Sequence, residues 1–204
     1  MTSPLRVDAF CEDIGFEEFL RALAERLGAE AKIPVRVSIR SARGGQSRVM
    51  SELELYARTL EQGRRALPEI IVVGIDSNCH GWAARSKEIQ DKLTTLPAQR
   101  VAVACPEPHV EKWYLADPDS FQRVVGERPR ALGQAKCGKQ EYKDALRSTL
   151  TAAGHVLTQN GYEFASELVS AMKLYRASQN DRSLKAFIAD FRRCLRLAAN
   201  PDSG

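Results

Sequence analysis

The sequence predicts an α/β protein: a mostly parallel sheet flanked by helices, with a C-terminal helical extension. Three observations predict it. Strand-like runs alternate with helix-period segments as far as Cys105, the pattern of consecutive βαβ units. One of those runs, Glu69-Ile70-Ile71-Val72-Val73-Gly74-Ile75, is continuously apolar, as suits a central strand covered on both faces of a parallel sheet. After Cys105 the strand signals stop and amphipathic helical segments take over.

Taken in order, Arg6-Val7-Asp8-Ala9-Phe10-Cys11 reads as the first strand. Gly15 to Leu27 follows as a helix, with Phe16, Phe19, Leu20, Leu23 and Leu27 at helical spacing. Val35 to Arg40 alternates strictly, which fits a strand exposed on one face near a sheet edge. The turn Ser41-Ala42-Arg43-Gly44-Gly45-Gln46-Ser47 leads, with Ser47 as expected N-cap, into a helix that runs to about Gln62. The apolar strand 69–75 is next, then a helix near Ser86 to Leu96 and a strand from Arg100 to Cys105. Beyond it, Val110 to Asp117 and Pro118 to Val125 read as short helices, the second capped by Asp117 or Asp119. Gln140 to Ala153, Tyr162 to Tyr175 and Ser183 to Leu197 are amphipathic helices, and Asn160-Gly161 is a turn.

A chain of 204 residues suffices for one core with a helical annex. No apolar run approaches the ~20 residues that span a bilayer, and the N-terminal residues lack the apolar stretch of a signal peptide. The expectation is a cytoplasmic protein without membrane contact. Five irregularly spaced cysteines do not form a disulfide framework, so reduced thiols are expected. Residues 1–120 carry 16 basic and 18 acidic side chains, whereas residues 121–204 carry 14 and 8. The extension is the basic half, suited either to nucleic acid or an acidic partner, or simply to a solvated helix face.

Acidic residues recur where strands end. Glu12 and Asp13 close the first strand, Asp76-Ser77-Asn78 closes the apolar one, and Pro106-Glu107-Pro108-His109-Val110-Glu111 follows the last. In an open parallel sheet the carboxyl ends of the strands share one edge, so these groups converge there. Carboxylates around a phosphate substrate are how such a fold holds Mg²⁺. Asp13, Glu17 and Glu18 crowd Glu12 and either belong to the site or favour the positive end of the following helix. Asn78 offers a neutral oxygen where a second carboxylate would bind a metal more strongly. Glu107 and Glu111 stand one turn apart and can face one site, or serve as a helix cap and a surface pair.

Arg40, Arg43 and Arg48 flank Gly44-Gly45, and Lys139 and Lys143 stand one helical turn apart at the start of the basic extension. Arg40, Arg43, Lys139 and Lys143 are the candidate phosphate contacts. The glycine turn is no P-loop, since the Gly-Lys-Ser/Thr ending is absent. Cys11, Cys79 and Cys105 fall near strand ends with His80 and His109 behind them, but their spacing matches no zinc pattern.

Phe10-Cys11-Glu12-Asp13-Ile14-Gly15 and Val73-Gly74-Ile75-Asp76-Ser77-Asn78 resemble the two hallmark motifs of the Toprim (topoisomerase–primase) domain. The Pro-Glu-x-x-x-Glu-x-Trp-x-Leu-Ala-Asp segment from Pro106 to Asp117 is similar to small stand-alone Toprim-like prokaryotic proteins, and to the nuclease half of the overcoming-lysogenization-defect family. The resemblance covers roughly residues 5–117. It implies a Toprim-like domain over 1–117 with a basic helical extension, 118–204, packed on it. It further implies a Mg²⁺- or Mn²⁺-dependent nuclease, an anti-phage defence effector beside a separate ATPase subunit. On that reading Glu12, Asp76 and Glu111 are catalytic, and Glu12, Asp76, Asn78, Glu107 and Glu111 surround the metal. Asn78 departs from the family's second aspartate, and keeps open a non-catalytic relative that binds a protein partner or nucleic acid.

Overall fold

The computed structural model describes residues 3–41, 44–132 and 139–200. Four parallel strands, β1 (Leu5–Cys11), β2 (Val35–Ser41), β3 (Ile70–Gly74) and β4 (Val101–Ala104), form one sheet in the order β2-β1-β3-β4. The alternating segment Val35–Ser41 lies at the sheet edge and the continuously apolar one is central, as their sequence patterns require. From β1 the chain steps outward to β2 and then returns to place β3 on the other side of β1. The direction of winding therefore reverses between β1 and β3, the switch point at whose carboxyl ends an open parallel sheet has its crevice.

Because side chains alternate across a strand, each strand feeds two cores. Val7, Ala9, Cys11, Ile70, Val72, Ala102 and Ala104 face one layer; Phe10, Ile71, Val73, Val101 and Val103 face the other. Helix α1 (Ile14–Glu30) lies on the first face, its N-terminus capped by Asp13, whose side chain accepts the Phe16 N–H at 3.1 Å. Gly74 makes room for it: a Cβ there would stand 2.8 Å from Phe16 Cδ1. Helices α2 (Gln46–Glu61) and α3 (Trp82–Lys92) cover the opposite face. The N-cap of α2 is Gly45 at φ 83°, not Ser47, and α3 begins four residues before Ser86 because Gly81 at φ 79° turns the loop into it.

After β4 come α4 (Glu111–Tyr114), α5 (Pro118–Val125), α6 (Lys139–Ala152), α7 (Ala165–Ala171), α8 (Leu174–Asn180) and α9 (Arg182–Ala199). These are not a loose appendage. Leu184, Phe187, Ile188, Phe191 and Leu195 of α9 are buried in the same core as α1 and the first sheet face, against the small side chains Ala102 and Ala104. Five such burials are worth on the order of 10 kcal/mol before chain entropy is subtracted. Trp113, fully buried, stacks on Phe187 at 5.6 Å and donates Nε1–H to Ser183 Oγ at 2.9 Å, which joins α4 to α9.

The single helix expected over Tyr162 to Tyr175 is interrupted. A 3-10 turn at Tyr162–Phe164 precedes α7, and the chain is extended at Met172 and Lys173 before α8. Tertiary partners take the backbone groups freed by the break: Arg26 donates to the carbonyls of Val169 and Met172, and Asp117 accepts the Lys173 N–H at 2.8 Å. Among the described residues, no helix is long and apolar enough to cross a membrane.

Candidate acidic site at the sheet edge

The loops leaving β1, β3 and β4 are zipped together by backbone bonds. Glu12 N–H donates to Gly74 O at 3.1 Å, Ile75 N–H to Ala104 O at 3.0 Å, Ser77 N–H to Pro106 O at 3.0 Å and Asn78 N–H to Pro108 O at 3.3 Å. Glu12, Asp76 and the segment before α4 are thereby fixed side by side at the mouth of the β1/β3 crevice. Glu12 Oε2 accepts the Asp76 N–H at 3.1 Å, a direct link across the switch point.

Asp76 is the centre of the arrangement. Its Oδ1 accepts the Val110 N–H at 3.0 Å and its Oδ2 lies 2.8 Å from His109 Nδ1. Burial pushes its carboxyl up to about 7; the His109 bond opposes the shift, and the neighbouring charges of Glu12 and Glu111 add to it. His109 is 4 % exposed, and its Nε2 has no hydrogen-bond partner among the described residues. In the sequence His109 stands behind the cysteines and within the run Pro106-Glu107-Pro108-His109-Val110-Glu111, and no local pattern marks it as the partner of Asp76.

Glu111, at the start of α4, is 2 % exposed; it accepts the hydroxyl of Tyr162 and has Lys143 Nζ 3.7 Å away. Burial and that carboxylate raise the Tyr162 phenol, which therefore stays a donor. Lys143 thus stands at the acidic edge, paired with Glu111. Glu107 is turned away towards α3, where its Oε2 accepts the Trp82 N–H at 3.3 Å. Asn78 adopts a left-handed conformation at φ 47°, donates to Asp76 O at 3.4 Å, and has a buried Oδ1 with no hydrogen-bond partner among the described residues. Ser77 Oγ beside it is likewise buried, with no partner among the described residues. Asp13 acts as the α1 cap, while Glu17 carries a buried Oε1 that has no partner among the described residues.

Arg40 lies on the face covered by α2, with Nε 3.3 Å from Asp8 Oδ2. Arg43 falls outside the described residues, and Lys139 opens α6 without a described side chain. Cys11, Cys105 and Cys194 are free and buried, with burial holding the Cys105 thiol up at about 12; Cys79 is disulfide-bonded, contrary to the expectation of reduced thiols throughout.

Among the described residues, no three His, Cys, Asp or Glu side chains converge as a ready-made metal cluster. The donor chemistry at the edge is nevertheless of the kind Mg²⁺ accepts: carboxylate and amide oxygens, one of them the buried Asn78 Oδ1 that no described residue bonds. Thiol donors, which favour zinc, are committed elsewhere: Cys11 and Cys105 to the core, and Cys79 to a disulfide.

Fold and site together define a doubly wound parallel α/β protein with an acidic crevice at its topological switch point. No family model matches the chain, and no curated protein or solved structure matches it either.

Proposed function

We propose that this crevice is the active site of a Mg²⁺- or Mn²⁺-dependent phosphodiester hydrolase of Toprim type. The observation that carries the reading is the meeting of Glu12 and Asp76 across the β1/β3 switch point, with Asp76 kept buried and its carboxyl pushed up to about 7. A buried carboxylate beside two further acids is unfavourable for folding, and a bound cation would offset that cost. Glu12, Asp76 and Asn78 would hold the metal, which when bound neutralises charge on a phosphoryl oxygen and acidifies a water. Glu12 is also placed to move a proton at the edge. The Val110 N–H and His109 orient the Asp76 carboxylate, Tyr162 and Lys143 hold Glu111 beside it, and Glu107 steadies the start of α3.

In this reading the protein is cytoplasmic, its substrate is nucleic acid, and it works in anti-phage defence with a separate ATPase. The second reading, a non-catalytic relative that binds a protein or nucleic acid, is favoured by the engagement of both Asp76 oxygens within the protein. Supercoiled plasmid, single-stranded DNA and RNA incubated with the purified protein and Mg²⁺ or Mn²⁺ decide between them. Metal-dependent cutting abolished in both Glu12→Ala and Asp76→Ala is the expected result. Cutting that survives both substitutions would refute the site, and no cutting by the wild type on any substrate would favour the second reading.

A further inference from the structure

A second polar cluster lies away from the acidic edge, between the edge strand β2 and helix α2. Asp8, in the middle of β1 and 5 % exposed, is a charge placed inside a sheet face. Three groups converge on one of its oxygens, Oδ2: the Tyr56 hydroxyl at 2.6 Å, Arg40 Nε at 3.3 Å and an Arg65 terminal nitrogen at 3.7 Å. Both guanidinium groups also rest on the Tyr56 ring, with centroid distances of 4.9 Å for Arg40 and 5.5 Å for Arg65, and Arg40 lies 5.8 Å from the Phe10 ring.

The tyrosine hydroxyl and one arginine already satisfy that oxygen of the buried carboxylate. The second arginine is in excess of that need. At 3.7 Å Arg65 is outside hydrogen-bond distance of Asp8 and, held by the aromatic face, keeps its planar fork of donors available. One negative charge is thus shared by two positive ones beside a cavity of about 220 Å³, lined by Phe10, Arg40, Leu55, Tyr56, Thr59 and Arg65. Glu52 also lines it, but forms an ion pair with Arg48 at 2.9 Å. Arg65 and Arg40 side chains remain 47 % and 31 % exposed, so the cavity is open to a ligand.

We propose that Arg40 and Arg65, seated on Tyr56 over this cavity, form a binding site for a phosphate group. Two planar forks match the tetrahedral oxyanion and its charge. The apolar wall of Phe10 and Leu55, the latter 59 % exposed, suits a phosphate that carries an organic group, hence a phosphate ester of a nucleotide unit. The ester is either a free nucleoside monophosphate or one link of a nucleic-acid backbone. This site does not rest on the acidic crevice or on any metal.

The test is an NMR titration of the full-length protein that follows the arginine Nε–H resonances, with sodium chloride of equal ionic strength as the reference. Inorganic phosphate, a nucleoside 5′-monophosphate, and an oligonucleotide lacking terminal phosphates are the three probes. Saturable shifts of the Arg40 and Arg65 resonances are expected, and Arg65→Gln should weaken binding by about tenfold or more, while Arg65→Lys, which keeps charge without the fork, recovers only part. Binding of the monophosphate alone assigns the site to free nucleotides, and binding of the oligonucleotide alone assigns it to a backbone. Arg65 is in an exposed loop, and a thermal melt confirms that its variants fold. The proposal is overturned if no probe shifts those resonances beyond the chloride reference, or if Arg65→Gln binds as tightly as wild type. Because no cleavage is read, a failure of the nuclease reading leaves this result unaffected.

Discussion

Replacing Asp76 by asparagine keeps the shape of the side chain and removes its charge, and the expected consequence is a protein that is more stable at alkaline pH while its site is lost. In the fold the carboxyl is pushed up from 3.8 to about 7, first by burial and then by Glu12 and Glu111. The protonated form is the one the fold prefers. This contribution to stability is therefore fully present below the unfolded value and is lost as pH rises towards the folded one. The shift corresponds to a total of about 4 kcal/mol, of which about 2 kcal/mol is lost between pH 5.5 and 8.5. An asparagine keeps an oxygen for the Val110 N–H and sets an amide N–H against His109 Nδ1, so little hydrogen bonding is surrendered. Urea unfolding, followed by tryptophan fluorescence with chelator present, should show the advantage of Asp76→Asn over wild type growing by about 2 kcal/mol from pH 5.5 to 8.5. Added Mg²⁺ should stabilise the wild type at pH 8.5, by about 1.4 kcal/mol at ten times its dissociation constant, and leave the variant unchanged. A variant less stable than wild type at pH 8.5, or an advantage that does not vary with pH, would refute the reasoning.

Two further substitutions probe how the helices after β4 are tied to one another and how α1 packs on β3. Asp117, 1 % exposed, caps α5 and binds Arg176 Nε at 2.6 Å and the Lys173 N–H at 2.8 Å; burial opposes its ionisation, but these bonds outweigh it and hold the carboxyl at about 2. Its contribution is present above the unfolded value of 3.8 and is lost as pH falls towards 2, so Asp117→Asn should cost about 2 kcal/mol at pH 7 and only about half of that at pH 3, as read by urea unfolding at the two pH values; an equal cost at both would contradict the assignment. Gly74→Ala would set a methyl group 2.8 Å from Phe16 Cδ1 and 2.9 Å from Leu20 Cδ1, both of them buried side chains, and should lower stability by about 1–3 kcal/mol in a thermal melt; an unchanged melting temperature would mean that α1 can move off β3.

The four strands, their parallel arrangement and the edge and central positions of β2 and β3 were legible because they rest on local patterns. Alternation at Val35–Ser41 and continuity at Ile70–Gly74 report how many faces of each strand are covered. The placement of Glu12 and Asp76 at one edge followed from the same logic, since each is the first or second residue beyond a parallel strand. The cap of α5 was legible only as Asp117 or Asp119; the structure puts Asp117 there, ahead of a proline preset for the first helical position.

What the sequence by itself determined is therefore the set of elements and the end of the sheet where the acids gather, since strand period, apolar continuity and capping chemistry act over a few neighbouring residues. Only the tertiary structure decided which polar groups meet. Val169 to Lys173 contains neither proline nor glycine, and its helix breaks because Arg26 and Asp117, 143 and 56 residues distant in sequence from the Val169 and Lys173 groups they bind, take over the freed backbone groups. His109 became the partner of Asp76, Lys143 that of Glu111, and Arg65 joined Arg40 over Tyr56, each through the folding of separate segments onto one another. The physical reason is one of range: local periodicity fixes which face a residue occupies, whereas the partner of a buried charge is set by whichever distant group can approach it and offset its lost hydration.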